Sequence, residues 1–425
     1  MLNGPRLALE GIRIADLTQV AAGPYATLLL GFMGAEVIKV ESCSRMDNNR
    51  GQARPSAAGF GLYPQGEPGD HPWNRAVHHV HRNVNKLSLT LDLDTERGRQ
   101  LLLALASKSD ALMENFRASV MDRLGLGYDV LSQAAPHLVY LKLSSQGATG
   151  PEMDYGSLGS TLEQTAGLAS ITGYEDGIPL MTNETYPDPV VGLLAVGALM
   201  AGLRHRRKTG KGTFIDISQR EATASLLGDY MLDFSMNGRV AGTMGNRHAS
   251  RAPQGCYPCL GDDMWVVVSV GSDEEWQGLC RAIGRPRLAQ DERFSSPLLR
   301  QRNQEELDAI LSDWTRELDH NQAMHLLQAH GVPAGAVLKG SELLKDPHLN
   351  ERAFWDSVDH SEAGIYKQVS TPWHLSENPR RSAFPSPSLG QHNAYVLGEI
   401  LGLSPAEIAD LEERGIIGTR PVGAE

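Results

Sequence analysis

The sequence predicts an α/β fold, with a doubly wound parallel sheet and a second, smaller domain. Three observations carry that prediction. Short apolar strands alternate with segments of helical period from Ile12 to Leu143. The first unit reads strand, small-residue turn, helix, strand, which is a β-α-β crossover. At 425 residues the chain exceeds one ordinary domain.

The elements follow in order. Ile12 to Leu17 is a strand and Gln19 to Pro24 (QVAAGP) a turn. Pro24 starts a helix that runs to Phe32 and stops at Met33-Gly34, and Ala35 to Glu41 is the second strand. The turn lacks G-x-G-x-x-G, so no nicotinamide or flavin dinucleotide is indicated. Its small residues still let a ligand approach the backbone at a helix N-terminus. Asp47 to Pro72, rich in Gly, Pro, Asn and Arg, reads as a surface excursion. His78, His79 and His81 follow in a polar strand or loop, with no carboxylate spaced to complete a metal site. Ser88 to Leu93 is a strand, Thr95 to Ser107 a helix and Ala111 to Glu114 a strand. Asn115-Phe116-Arg117 then lies at a strand's carboxyl end, where open α/β sheets bind ligands. Val120 to Leu124 and Tyr128 to Ala134 are short helices, and Leu138 to Leu143 is a strand.

Helical spacing returns around Leu162, Ala166 and Leu168, and the segment Pro179 to Ser218 follows. Within it, Asp188 reads as the N-cap of an apolar helix, Pro189 as its first residue and Gly210 and Gly212 as its stop. The basic cluster Arg204 to Lys208 falls at the negative end of the helix dipole. Asp188 has two readings. It is a cap alone, or a cap whose carboxylate is kept ionised beside N–H groups able to meet an oxyanion, which suits a carboxylate nucleophile. Phe214 to Ser218 is a strand and Glu221 to Phe234 a helix. Gly242 to Pro253 is a loop, Trp265 to Ser269 a strand, and Asp273 to Ile283 a helix. Glu305 to Trp314 and Asn321 to His330 are amphipathic helices, and Val332-Pro333-Ala334 opens a strand. Residues 224–330 are taken as the smaller domain, with 1–223 and 331–425 forming the larger one. In the returning segment Thr371 to Leu375 reads as a strand, and Ser404 to Glu407 is a capping box that opens the last helix.

A net charge of −12 argues against a nucleic-acid partner. The N-terminus MLNGPRLALEG has no apolar signal core, and Val190 to Leu203 is too short and glycine-broken to span a bilayer. A cytoplasmic protein away from membranes is expected. Four cysteines make no disulfide framework. Cys256 and Cys259 form a C-x-x-C without the second pair a zinc site needs, and they lie in a strand or turn rather than opening a helix.

The pieces DLTQVAAGPYAT with GAEVIKVES, NKLSLTLDL, ENFRASVMDRLGLGYDVL, GNRHASRAP, HGVPAG and LGQHNAYVLGEILGLS run in order from Gly11 to Gly415. In these the chain resembles the class III CoA-transferases, a family that includes formyl-CoA transferase, carnitine CoA-transferase and the α-methylacyl-CoA racemases. The resemblance implies a Rossmann-like large domain built from both chain ends, a smaller α+β domain, and an interlocked dimer. That dimer would be a homodimer or a heteromer with a homologous subunit, with active sites between the large domain of one subunit and the small domain of the other. It implies coenzyme A or acyl-CoA as substrate, small-molecule acids as partners, and no metal, ATP or redox cofactor. Asp188 falls on the family's nucleophilic aspartate. Val20 and Ala22 fall beside the thioester, and Leu91, Asn115, Phe116 and Arg123 on positions lining the nucleotide; Leu91 and Phe116 could equally be core, and Arg123 a surface charge.

The chain also departs from the family. Three basic residues of formyl-CoA transferase fall on Ser42, Asp94 and Gly156, leaving Arg45, Arg75 and Arg82 as candidate replacements for the phosphate grip. The family's glycine loop falls near His248 to Gln254, which is not glycine-rich. The racemases' His and following acid fall on Leu158 and Gly159, so the two-base pair is missing, which favours a transferase; Glu163 and Glu184 are candidate second acids. The loop YGSLGSTLEQTAGLASITGYEDG and the segment ETYPDP look nearest to members that handle succinyl-CoA with aromatic or dicarboxylic acids, such as benzylsuccinate CoA-transferase subunits. The expected activity is transfer of CoA from an acyl-CoA, such as succinyl-CoA, to a carboxylic acid. The alternatives are an acyl-CoA racemase or isomerase, and a non-catalytic subunit of a heteromeric transferase.

Overall fold

The computed structural model describes residues 6–56, 62–174, 177–182 and 185–424. They divide into two compact units, the first made of residues up to Leu168, Met181–Gly238 and His348 onward, the second of Ala169–Leu180 and Arg239–Pro347. The second unit thus starts and ends later than the 224–330 read from the sequence and takes in a short earlier segment.

The first unit is built on six parallel strands: β1 Arg13–Asp16, β2 Glu36–Glu41, β3 Lys86–Thr90, β4 Ala111–Glu114, β5 Val139–Lys142 and β6 Thr213–Asp216. Their order is β3-β2-β1-β4-β5-β6. The chain reverses its direction of winding between β1 and β4, where Ile14 pairs with Val37 on one side and Ala111 on the other. That crevice at the strands' carboxyl ends is where such sheets bind ligands.

Alternation along each strand sends side chains to two cores. Ile14, Val37, Ala111, Met113, Val139 and Leu141 meet one layer of helices. This layer includes α1 Ala22–Phe32 and, further along the chain, the long helix Pro187–Thr209. Ala15, Ile38, Leu112 and Tyr140 meet the opposite layer, which includes the helix Glu96–Ser107 and the C-terminal Val396, Leu397 and Leu411. Gly192 lets the long helix lie against α1, since a Cβ there would stand 2.8 Å from the Ala22 carbonyl oxygen.

Several sequence readings are corrected. The helix α1 begins at Ala22, two residues before Pro24, which fits inside the first turn because its missing N–H has no bond to make there. The histidines 78, 79 and 81 lie on a helix, α2 Val77–Arg82, not in a strand or loop. The start of the supposed surface excursion is buried: Asp47, Asn49 and Arg50 lie in the interior. Residues 57–61 of it lie outside the described residues. The helix expected over Glu221 to Phe234 is broken into Gln219–Ala224 and Gly228–Asn237. Thr371 to Leu375 is irregular. The strands of the returning segment are instead an antiparallel hairpin, Trp355–His360 with Gly364–Val369. The capping box at Ser404 is present and opens the helix Pro405–Glu413. The long helix, 23 residues, is longer than the apolar run suggested and is long and apolar enough to cross a membrane, but its Val191, Ala195 and Leu199 belong to the core.

The second unit has a three-stranded antiparallel sheet, Gln254–Pro258, Trp265–Ser269 and Ala334–Ala336, packed on helices that include Asp273–Ala282, Gln304–Thr315 and His320–Ala329. Tyr257, Val266, Val268, Trp276, Leu279, Leu311 and Leu327 form its core. Cys256 lies in a strand as expected, and both it and Cys259 are free.

Beneath the β1 carboxyl end lies a network of buried charges. Asp16 accepts from the Thr18 N–H at 2.9 Å, the Thr18 hydroxyl at 2.5 Å, the Thr27 hydroxyl at 2.7 Å and Lys86 Nζ at 3.2 Å. Lys39 Nζ donates to the Thr18 carbonyl and to Asp47 Oδ2, both at 2.8 Å. Arg50 makes a two-point pair with Glu41 at 2.7 and 2.8 Å. Removing one member of a buried pair strands the other without water. Asp16→Ala is therefore expected to lower stability in urea unfolding by about 3–5 kcal/mol; a loss under 1 kcal/mol would show that Lys86 finds another partner.

Candidate active site

The turn that leaves β1 is held in a conformation its residues would not choose. Val20, β-branched, has φ of +67°, a strained value for such a side chain. Its surroundings impose it. Its N–H donates to Asp47 Oδ1 at 2.9 Å, and its carbonyl accepts from Arg82 Nη1 at 3.1 Å and from the Asn49 side chain. One residue earlier, Gln19 and Asn115 clasp each other: the Gln19 N–H donates to Asn115 Oδ1 and Asn115 Nδ2 to the Gln19 carbonyl, both at 2.7 Å. This clasp joins the β1 and β4 ends across the crevice. The next peptide is fixed from below, where Glu114 Oε2 accepts the Phe116 N–H at 2.7 Å. Burial, eased by Lys142, pushes Glu114 up to about 7.

Over this turn opens a cavity of about 900 Å³. Val20, Ala21, Arg82, Asn115, Phe116, Arg117, Leu158, Gly159, Thr185 and Asp188 are among its lining residues. Asp188 lies in the first turn of α3 Pro187–Thr209 and is not its cap; that position falls on Tyr186, and Pro187 takes the first helical place. An anion within the first turn is still favoured by the helix dipole. Asp188 is 8% exposed. Burial raises its carboxyl above the ordinary range and the charge of Glu163 adds to this, while a hydrogen bond from Thr185 and the charge of Arg82 pull it back. The result is a poorly hydrated, more basic carboxylate at the cavity wall.

Gly159 belongs to that wall. A Cβ there would stand 2.5 Å from Thr185 Cβ and 3.0 Å from Asp188 Cγ. The position where an acid was sought is thus filled by the Asp188 carboxylate itself. Glu163 does not take over the role. It is buried, its carboxylate accepts the Thr182 N–H at 2.8 Å and hydroxyl at 2.6 Å, and it does not line the cavity. Glu184 lies outside the described residues.

A second cavity of about 510 Å³ lies over the carboxyl ends of β1, β2 and β3. Leu91, Phe116 and Arg123 line it with Gln19, Ser42, Arg45 and Asp94, and Phe116 lines both cavities. The predicted residues therefore separate into two groups around one crevice: Val20, Asn115, Phe116 and Asp188 in the larger cavity, and Leu91, Phe116 and Arg123 in the smaller. Ala22 is the exception. Its side chain is buried in the core, and Ala21 faces the cavity in its place. Of the three candidate phosphate residues, Arg45 lies in the smaller cavity, Arg82 beside Asp188, and Arg75 in neither. Asn48 and Asn49, also in the larger cavity, were missed because a Gly/Pro/Asn-rich stretch reads as surface. Among the described residues no group of three or more His, Cys, Asp or Glu could hold a metal ion.

A model of the family described as CoA-transferase family III matches residues 9–393. The chain is 30% identical over 413 residues to the succinyl-CoA–D-citramalate CoA-transferase of Chloroflexus aurantiacus, covering 97% of this chain and 99% of that protein. It is 32% identical over 430 residues to the formyl-CoA:oxalate CoA-transferase of Streptomyces avermitilis, covering 96% and 99%. The crystal structure of a CAIB/BAIF family protein from Brucella suis matches with a TM-score of 0.82 at 27% identity, over 93% of this chain and 100% of that one.

The close approach at Gly159 has a measurable consequence. Gly159→Ala is expected to overpack this wall and destabilise the protein by about 1–3 kcal/mol in urea unfolding. An unchanged midpoint would show that Asp188 and Thr185 yield freely.

Proposed function

The chain belongs to CoA-transferase family III, whose substrates are CoA thioesters, and on that premise we propose that it moves CoA from an acyl-CoA such as succinyl-CoA to a second carboxylic acid through Asp188. The observation that carries this reading is the position of Asp188: a poorly hydrated carboxylate in the wall of the cavity at the sheet's switch point. Leu158 and Gly159 beside it offer no second acid or base for proton transfer at a carbon, which favours transfer over racemisation.

The steps balance without a metal, a nucleotide or a net proton. An Asp188 oxygen attacks the donor's thioester carbonyl, forming a C–O bond; the C–S bond breaks and CoA leaves as thiolate. The thiolate then attacks the Asp188 acyl carbon of the anhydride, giving an aspartyl-CoA thioester and the free donor acid. The acceptor carboxylate attacks that thioester and again expels the thiolate. Attack of the thiolate on the acceptor's acyl carbon releases the new acyl-CoA and restores Asp188. Each barrier is that of an acyl exchange between neighbouring groups, which is the gain from covalent catalysis.

The unit's surface supports assembly with a second copy of the chain. The helix Gly228–Asn237 has no buried residue, and Tyr230, Met231, Leu232, Phe234 and Met236 are all exposed, Met236 at 72%. Leu193 and Leu194 on α3 are exposed as well. Apolar area on this scale marks an interface. Sedimentation of the pure chain at micromolar concentration is expected to give twice the chain mass. A monomer would remove this part of the proposal, and mass growth only on adding a homologue would establish a heteromer.

Two measurements test the chemistry. Asp188→Asn is expected to reduce CoA transfer by at least about a thousandfold, as loss of a covalent nucleophile does, and hydroxylamine with donor acyl-CoA is expected to inactivate the native protein by derivatising Asp188. Full transfer by the Asn variant would end the proposal; a native chain untouched by hydroxylamine and inactive alone would point to a non-catalytic subunit. The pH dependence has a definite sign. Only ionised Asp188 attacks, and burial raises its pKa, so kcat/KM falls on acidification with a midpoint above the usual value near 4. Arg82 pulls that pKa down, so Arg82→Gln moves the acid limb to higher pH; a shift to lower pH would contradict the electrostatic account.

A further inference from the structure

Two glycines in the wall of the larger cavity mark two charged side chains. Gly156 lies against Arg117, where a Cβ would stand 2.8 Å from both Nε and Nη2 of the guanidinium. Gly159 lies against Asp188. All four residues line the same cavity. Ser157 and Leu158 between the glycines are outside any helix, and Leu158 is extended at φ −115°, ψ 167°. Three extended residues span at most about 10 Å. The two glycine Cα atoms that mark the guanidinium and the carboxylate are therefore at most about 10 Å apart along one wall.

Arg117 is well placed to hold an anion. It is the exposed third residue of the turn that Glu114 and the Gln19–Asn115 clasp fix in place. Its charged neighbour Asp154 is held below the ordinary carboxylate range first by a hydrogen bond from Ser119 and only in smaller part by Arg117.

We propose that Arg117 anchors the far carboxylate of a four- or five-carbon dicarboxylic acid whose near carboxyl is exchanged on Asp188. This rests on the reading of Asp188 as the acylated residue. The lengths agree. A carbonyl carbon poised for attack lies about 3–3.5 Å from the attacking oxygen. A succinyl chain carries its far carboxylate carbon about 4 Å further, over three C–C bonds of roughly 1.5 Å. A guanidinium–carboxylate pair with N···O of about 2.7–2.9 Å closes the remaining gap. A glutaryl chain adds one bond, which the flexible arginine absorbs. A monocarboxylate leaves the guanidinium unmatched.

The test compares succinyl-CoA with butyryl-CoA, in which a methyl group replaces the far carboxylate at equal chain length. The native protein and Arg117→Gln are assayed with one fixed acceptor acid. The native protein is expected to favour succinyl-CoA in kcat/KM by about 10- to 100-fold, the worth of a charged hydrogen-bonded pair. Arg117→Gln should remove that preference by slowing succinyl-CoA while leaving butyryl-CoA within about threefold, and Arg117→Lys should restore part of it. An equal fall with both donors would assign Arg117 to CoA itself or to the fold and overturn the inference. So would a native protein that uses both donors equally, with the Asp188 reading intact. A native protein that transfers CoA from no donor would overturn both.

Discussion

The site depends on buried charge placed under a turn. Asp16, Lys39, Asp47 and Lys86 are each cut off from water and each answered by another. None of them lines the larger cavity. Their effect on it is geometric: they tie β1, β2, β3 and the segment after β2 to the same few peptides, so that Thr18 and Val20 have one arrangement available. A β-branched residue at φ +67° costs about 1–3 kcal/mol. The cost is tolerated because the two polar groups of that residue are bonded on both sides. A turn of this kind is already shaped before a ligand arrives.

Asp188 is under the opposite regime. The carboxylates of the network are matched by cations, whereas Asp188 is buried against a glycine, a threonine and two prolines of its own helix start, with Arg82 as a charge acting from the same cavity. Burial without full pairing makes a carboxylate more basic and less hydrated, the two properties a carboxylate nucleophile needs. Complete pairing with Arg82 would have lowered its basicity and dulled it. Arg82 instead spends its Nη1 on the Val20 carbonyl and on Asn49, so the same cation that braces the turn also limits how far the Asp188 pKa rises.

The sheet and most of its helices were legible in the sequence because period is local. Ile14 and Ala15, or Met113 and Leu112, announce two cores by alternation alone. The place of Asp188 at the head of a helix was legible through Asp188-Pro189 before an apolar run. Its position relative to the cap was not, because Pro187 and Pro189 both fit a first turn and only the backbone decides between them. What composition hid was burial. The run Asp47-Asn48-Asn49-Arg50 has the residues of a loop on water, yet its polar groups are satisfied inside the protein by Glu41, Lys39 and Val20. Partners that distant leave no trace in local pattern. The strand expected at Thr371 failed for a related reason: apolar residues near the hairpin Trp355–His360 and Gly364–Val369 carry a strand-like composition without a neighbour to pair with.

An anhydride or thioester on Asp188 would be open to water wherever the cavity is open, and hydrolysis of either intermediate would discard the transferred CoA bond. The chemistry thus demands a cover that this wall does not supply by itself: Leu158 at the rim is 60% exposed. The apolar helix Gly228–Asn237 and the outer leucines of α3 are the same kind of unfinished surface. On the proposed assembly, both deficits would be met by one event, the arrival of a second chain that buries the apolar faces and dries the site together. Assembly and protection of the proposed intermediate would then share one cause.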